Sequence, residues 1–480
     1  MNRRMVLYVV GTVIKIEAAL MLLPLITSLI YKESCISAIL ISIAVALASG
    51  FAMTLIFKPS SKVIYAKEGF VIVSLAWLAL SAIGALPFYI SGEIPSYVDA
   101  FFETVSGFTT TGASILTDVE AMSKGLLLWR SFTHWVGGMG VLVFVMAIIP
   151  TVSDRSIHLL RAEAPGPIVG KIVPKMKQTA RILYIIYIVM TVITFLFLLA
   201  GDMSIFDSII HAVGTAGTGG FGIKADSVGS YSPYIQWVIT IAMLVFAVNF
   251  NIYYFVLIKR YKTAIKNEEF MAYIAIVAIS TVAVFFNIKP IYVSASESIR
   301  HAMFQVASII STTGFSTVDF NQWPSFSKTV LLILMFVGGC AGSTAGGFKV
   351  TRIVLLVKTI KREMKRLIHP RSVAVVRLDG RKVSEITVNS LHSYFAIYTA
   401  LFALVVILLG IDIFDLETNI AVAASCINNI GPGLGTAGPA SSYAMYSPLS
   451  KLVLSFAMLL GRLEIFPLIL TFSPSTWVKK

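Results

Sequence analysis

Four short segments of this chain end in glycine after small or polar residues: 109–112, 217–220, 311–314 and 428–431. Each lies between two long apolar stretches, and a short, mostly apolar run begins thirteen residues before each glycine. The copies therefore keep register over at least fourteen positions. Such a fourfold repeat can surround one axis with backbone carbonyl oxygens, the groups that replace the water shell of an ion. The pattern predicts an ion-conducting pore built from one polypeptide.

The four segments carry hydroxyl and amide side chains and no carboxylate. They predict a cage of carbonyl and hydroxyl oxygens instead of the acidic ring expected for a divalent ion. Glycine reaches positive φ at low steric cost, which lets a carbonyl face the axis. The alternative is that these glycines only let the spans pack closely. The predicted ion-binding residues are Thr110, Thr111, Gly112, Thr218, Gly219, Gly220, Thr312, Thr313, Gly314, Asn429, Ile430 and Gly431.

Composition places these segments in a membrane protein. Of 480 residues, 57% are hydrophobic and 13% are charged, more apolar surface than an ordinary soluble fold can bury. We predict an all-α integral membrane protein with ten transmembrane helices and four re-entrant pore helices, in a pseudo-fourfold arrangement of span, pore loop and span. The predicted spans are 5–30, 36–57, 69–90, 126–150, 181–201, 235–258, 270–288, 329–350, 391–410 and 449–471. The predicted pore helices are 99–109, 207–217, 301–311 and 418–428.

The chain divides into a two-span N-terminal element and four pore repeats. Its apolar start exceeds a signal-peptide core in length, so we interpret it as a retained span. The net charge of +14 is concentrated in loops on one side, which places both termini in the cytoplasm. These basic loops either set topology alone or bind anionic lipid or a cytoplasmic partner, at 151–180, 259–266 and after Lys349. The predicted units are 1–67, 68–150, 151–260, 261–368 and 369–480.

A second feature is a span interrupted by five glycines in ten positions, 338–347. Glycine is a poor helix residue, so this span is expected to break. The alternative is close packing of membrane helices through small residues. A phosphate-binding loop is excluded because Phe348 stands where that motif needs lysine.

Charged groups inside the spans are few. Arg462 is expected to face a partner, water or the conduction path, because an unpaired arginine in a membrane is costly. In the alternative it pairs with Glu464 or a carbonyl as a structural anchor. Arg130 lies near the start of an inner helix, and Glu103 and His211 occupy equivalent positions in the first two pore helices, where packing or anchoring roles are expected.

The four glycine segments and the glycine-rich span together resemble the TrkH/KtrB/HKT superfamily of potassium transporters, from about residue 69 to 475. The two additional N-terminal spans resemble the TrkH branch. The resemblance implies potassium at the predicted ion-binding residues, and Gly112 favours potassium because plant members with serine there prefer sodium. Asn429-Ile430-Gly431-Pro432 departs from the Thr-x-Gly pattern and makes the ring asymmetric. The implied gate residues are Gly338, Gly339, Gly342, Ser343, Thr344, Gly346, Gly347, Lys349 and Arg462.

The resemblance also implies function and partners. It implies potassium uptake across the cytoplasmic membrane of a prokaryote, by a homodimer seated on a cytosolic ring of TrkA-type nucleotide-binding subunits. Membrane lipid is a further expected partner, while no cofactor of its own, no nucleic acid and no enzymatic activity are expected. A secondary transporter coupled to sodium or protons is the alternative, although the spans offer little midplane carboxylate beyond Glu17 and Glu464. An intramembrane enzyme would need a metal cluster or a nucleophile with its base, and neither is visible.

Overall fold

The computed structural model describes residues 1–59, 64–140, 176–372 and 374–477. These residues are mainly helical, and their one sheet is a two-stranded hairpin. The N-terminal helices are α1 Arg3–Leu20, α2 Leu22–Tyr31 and α3 Ile36–Ile56. The next group is α4 Ala66–Gly84, α5 Leu86–Ser91, α6 Tyr97–Phe108 and α7 Lys124–Gly138.

The following helices are α8 Met176–Leu199, α9 Ile205–Gly217, α10 Pro233–Phe246, α11 Phe250–Leu257 and α12 Tyr261–Ile265. Then come α13 Glu268–Ile288, α14 Ala295–Ile310, the 3-10 turn Phe320–Gln322, α15 Ser325–Val337 and α16 Val350–Ile368. The last part has strands β1 Arg377–Leu378 and β2 Arg381–Lys382, then α17 Glu385–Leu409 and α18 Leu416–Ile427. It ends with 3-10 turns Gly435–Ala437 and Tyr443–Met445, and helices α19 Pro448–Arg462, α20 Phe466–Phe472 and α21 Pro474–Trp477.

The protein is a multi-pass membrane protein. Within the described ranges, six helical stretches are long and apolar enough to cross a bilayer. Their exposed apolar side chains suit lipid contact. The six stretches are Arg3–Tyr31, Ile36–Ile56, Ala66–Ser91, Gln178–Leu199, Glu268–Ile288 and Glu385–Leu409.

Three predicted spans are interrupted in the structure. Within 235–258, α10 and α11 meet at 90°. The Asn249 side chain caps the start of α11. The Ala247 carbonyl, at the end of α10, accepts a hydrogen bond from the N–H of Cys340 at 2.9 Å and not from a residue of its own helix. The span 329–350 breaks after Val337, as its glycines predict. The span 449–471 breaks between α19 and α20. Of the span 126–150, α7 covers 126–138, and 141–150 lies outside the described residues, as does the basic stretch 151–175.

The N-terminal element is joined to α7 by one carboxylate. Glu33, between α2 and α3, accepts hydrogen bonds from the backbone N–H groups of Lys124 and Gly125, at 2.6 and 2.9 Å. These are orphan donors of the first turn of α7, where a negative charge is also favoured by the helix dipole. The element therefore fixes the start of a helix that reaches the centre of the molecule.

Candidate ion-binding site

Four short helices, α6, α9, α14 and α18, lie at the predicted positions and lead into the glycine segments. A side-chain oxygen caps each one: Ser96, Ser204, Ser294 and Asp415 accept the N–H of the residue three positions on. Three of the caps lie sixteen residues before the segment's glycine. The third helix begins at Ala295, six residues before the predicted start, because Ser294 caps it.

All four helices end with the same backbone turn. The residue two before each glycine is left-handed, with φ of 56° at Thr110, 55° at Thr218, 56° at Thr312 and 56° at Asn429. The next residue donates its N–H to a carbonyl five positions back, at 2.9 to 3.0 Å, which satisfies an orphan carbonyl of the helix end. Left-handed non-glycine residues are uncommon, and sequence reasoning missed them because it assigned positive φ to the glycines alone.

The glycines themselves also have positive φ, as predicted: 81° at Gly112, 76° at Gly220, 85° at Gly314 and 102° at Gly431. Each presses against the backbone of the next segment. A Cβ on Gly112 would lie 2.1 Å from the Gly219 oxygen, and one on Gly220 would lie 1.9 Å from the Thr313 oxygen.

The same contact recurs at the other two glycines and closes a ring. A Cβ on Gly314 would lie 2.1 Å from the Ile430 oxygen, and one on Gly431 would lie 2.6 Å from the Thr111 oxygen. No side chain fits at any of the four positions without displacing a carbonyl. We call this set the glycine ring; it comprises Thr111, Gly112, Gly219, Gly220, Thr313, Gly314, Ile430 and Gly431.

Several hydroxyls beside the glycine ring bond to protein neighbours, whereas the buried Thr110 hydroxyl has no hydrogen-bond partner among the described residues. Thr109 and Thr111 share a hydrogen bond of 2.8 Å, and Ser311 and Thr313 share one of 2.7 Å. The Asn429 amide donates to the Thr111 hydroxyl at 3.0 Å, linking the fourth segment to the first. The fold thus brings the backbone carbonyl oxygens of the four segments together at the glycine ring, with these hydroxyls beside them.

A cavity of about 260 Å³ borders the glycine ring and touches all four glycines. Tyr443, also on its wall, donates its hydroxyl to the Gly431 oxygen at 2.7 Å. No cluster of three or more His, Cys, Asp or Glu suited to a metal occurs among the residues that the structure describes.

A buried ion pair anchors the backbone just after the first and second glycine segments. Arg130 Nε lies 2.5 Å from the Glu103 carboxylate, which also accepts from Ser114 Oγ and the N–H of Ile115, both at 2.9 Å. Arg130 donates further to the Gly222 oxygen at 3.0 Å. Glu103 is thus an anchoring group, as expected.

His211, at the equivalent position in the second short helix, is buried, and its ring centroid lies 5.5 Å from that of Phe315.

The glycine-rich loop, residues 338–349, lies without helix between α15 and α16 and reaches the glycine segments. The N–H of Gly346 donates to the Thr312 hydroxyl at 2.6 Å. The Thr344 hydroxyl donates to the Phe246 oxygen at 3.2 Å, at the bend between α10 and α11. The Lys349 ammonium donates to the Ala345 oxygen within the loop. The loop is therefore packed directly against the third glycine segment.

Arg462, the last residue of α19, joins this loop to α7. Its guanidinium donates to the Thr344 oxygen at 2.9 Å and to the Gly137 and Gly138 oxygens at 2.6 Å each. The sequence left Glu464 or a backbone carbonyl as the anchor of Arg462. The structure shows carbonyl acceptors, and Glu464 pairs with Arg352. Three carbonyl acceptors offset part of the cost of burying the charge.

The fold and site define a class: a multi-pass helical membrane protein in which four capped short helices meet at one ring of backbone carbonyls. The model of the TrkH family, described as cation transport protein, matches residues 35–297 and 275–479. The chain therefore belongs to the TrkH family of cation transport proteins.

Named relatives match over nearly the full length. The chain is 37% identical to the Trk system potassium uptake protein TrkH of Salmonella typhimurium and 36% identical to that of Escherichia coli K12, each over 99% of this chain and 100% of the relative. Its structure matches the crystal structure of the potassium transporter TrkH from Vibrio parahaemolyticus with a TM-score of 0.89 and 32% identity, over all of both chains. These relatives are named as transporters and not as enzymes.

Proposed function

We propose that this protein takes up potassium across the cytoplasmic membrane, with the glycine ring as its selectivity filter. The observation that carries the proposal is the closed ring of contacts, in which each glycine meets the carbonyl before the next glycine. Potassium relatives at 36 to 37% identity support the choice of ion.

The chemistry of the glycine ring suits a monovalent cation. Converging carbonyl oxygens replace the hydration shell, and the C-terminal ends of four short helices add negative dipole charge nearby. No carboxylate belongs to the ring. An inward-negative potential supplies about 2.3 kcal/mol per charge per 100 mV, so uptake needs no built-in ATPase.

We further propose that the glycine-rich loop and Arg462 form the gate. Support comes from the hydrogen bonds between Gly346 and Thr312 and between Arg462 and Thr344, which hold the loop beneath the glycine ring. The remaining expectations belong to the same proposal: ten crossings in five units, both termini cytoplasmic, a homodimer with one pore per subunit, and a TrkA-type ring at the basic loops.

Cation-coupled transport is the second candidate, and one observation favours it. Glu17 is buried in α1, and within the described ranges neither of its carboxylate oxygens has a hydrogen-bond partner. It lies beside Gly84 and behind the first short helix, near Thr104, rather than in the glycine ring. If protons are coupled here, Glu17→Gln abolishes flux driven by a pH gradient; a passive pore keeps its flux.

The deciding experiment is rubidium flux into liposomes that contain only this purified protein. Flux driven by the cation gradient alone, and inhibited better by potassium than by sodium, supports the selective pore. Flux that starts only when a sodium or proton gradient is imposed would overturn it in favour of the coupled transporter.

A further inference from the structure

One buried carboxylate outside the gate residues named above bonds both to the glycine-rich loop and to the helix turn that follows the loop. Glu269, the second residue of α13, is 5% exposed. Its Oε1 accepts the N–H of Ala341 at 2.6 Å and that of Thr351 at 3.2 Å. Ala341 belongs to the first limb, and Thr351 follows the second limb in the first turn of α16. The same oxygen thus bridges chain on both sides of the loop.

The start of α13 is in turn tied to the hairpin formed by β1 and β2. Asp379, at the hairpin turn, accepts from the Asn267 amide at 2.9 Å and from the N–H of Glu268 at 2.8 Å. Lys358 of α16 pairs with the Glu268 carboxylate and donates to the Arg377 oxygen, the latter at 2.8 Å. Because Glu269 is the next residue, its position follows that of the hairpin.

Open space lies beside this connection. A cavity of about 940 Å³ borders Ala341, Thr351 and Glu269, and its wall includes the hairpin turn at Asp379. The chain around Ala341 and Thr351 therefore has room to move away from the glycine ring if Glu269 releases it. Glu268 lies in the same first turn and can interact with the dipole of α13. The hydrogen bonds to Ala341 and Thr351 therefore distinguish Glu269 from Glu268.

We propose that Glu269 is a positioning residue that holds the glycine-rich loop under the glycine ring, and that the hairpin around Asp379 transmits movement of the cytoplasmic surface to it. The inference rests on the proposed gate. Displacement of the hairpin shifts the first turn of α13, withdraws the shared acceptor from Ala341 and Thr351, and frees the loop to enter the cavity.

The test measures rubidium flux into liposomes without any partner protein, for the wild type and four variants. Glu269→Ala is expected to raise flux about tenfold, since it removes two hydrogen bonds to a charged acceptor. Glu269→Gln, which keeps a carbonyl acceptor, is expected to lie between Glu269→Ala and wild type. Asp379→Ala is expected to raise flux about threefold, because it loosens the tie between the hairpin and the first turn of α13 while the Glu269 side chain itself is retained. Arg381→Gln, in the same hairpin and without a side-chain hydrogen bond in the described part, is the control.

Preference for potassium over sodium as competitor separates the explanations. Higher flux with unchanged preference supports release of the loop, whereas higher flux with lost preference means a distorted ring and overturns the inference. Wild-type flux in a folded Glu269→Ala protein also overturns it. If that variant fails to fold, Asp379→Ala decides, and equality with Arg381→Gln refutes the relay. The proposed function itself fails if the wild-type protein conducts rubidium and potassium inhibits this flux no better than sodium.

Discussion

Gly220→Ala tests whether the glycine ring is a filter, because this position has the tightest contact of the four. Its added Cβ would lie 1.9 Å from the Thr313 oxygen, where an ordinary carbon–oxygen contact is roughly 3.3 Å or more. The Thr313 carbonyl must therefore move by about 1 Å or more. Alanine at φ of 76° also costs about 1 kcal/mol or more of backbone strain.

In the proposed filter, the displaced Thr313 oxygen is one of those that bind the potassium ion. Strain and displacement together exceed about 1.4 kcal/mol, and each such increment in a barrier lowers a rate about tenfold. We therefore expect rubidium flux to fall at least about tenfold, with weaker discrimination between potassium and sodium.

The matched control is Gly222→Ala, two residues beyond the end of the same segment. A Cβ there would meet no atom closer than 3.7 Å, and the position lacks the positive φ of Gly220. Liposome flux is compared at equal reconstituted protein, after gel filtration has shown that both variants are monodisperse. Equal flux and equal ion preference in the two variants would refute the filter assignment.

Three further predictions follow from the same geometry. Arg462→Gln removes a charge-assisted contact to the Thr344 oxygen, so partner-free rubidium flux should rise about tenfold; unchanged flux would remove Arg462 from the gate. Arg130→Leu leaves the Glu103 carboxylate buried without its charge partner, which should cost about 3–5 kcal/mol and lower the melting temperature in detergent. Lys224→Leu, which removes an exposed hydrogen bond to Ser230, should not lower it. Tyr443→Phe removes the hydrogen bond to the Gly431 oxygen, about 1 kcal/mol, and should weaken potassium preference several-fold in competition assays without loss of folding.

Much of the fold was predictable because its signals are local. Long apolar runs identified the six bilayer-length stretches found in the described residues, and the four glycines identified the loops with their positive φ. The bend between α10 and α11 was not predictable, because it depends on a hydrogen bond from Cys340, which lies in a distant segment. Similarly, the sequence left two anchors open for Arg462, since its acceptors on α7 are more than 300 residues away.

Some functional candidates had no sequence signal that isolated them. Glu269 reads as an ordinary acidic residue in the first turn of a helix, and only its contacts with Ala341 and Thr351 distinguish it. Tyr443 lies in a loop of unremarkable composition. In the folded segments the hydroxyls of Thr111 and Thr313 pair with Thr109 and Ser311, a pairing that the sequence did not reveal.

The sequence predicted a short helix followed by a glycine of positive φ in each repeat, and the structure adds a side-chain cap and a left-handed residue two before the glycine. Those features depend on hydrogen bonds between residues three to five positions apart, so the local sequence specifies them. The closure of the four units into a ring, and the position of the glycine-rich loop against that ring, could be seen only in the folded structure. Each ring contact joins residues roughly a hundred or more positions apart, and such contacts depend on how whole helices pack.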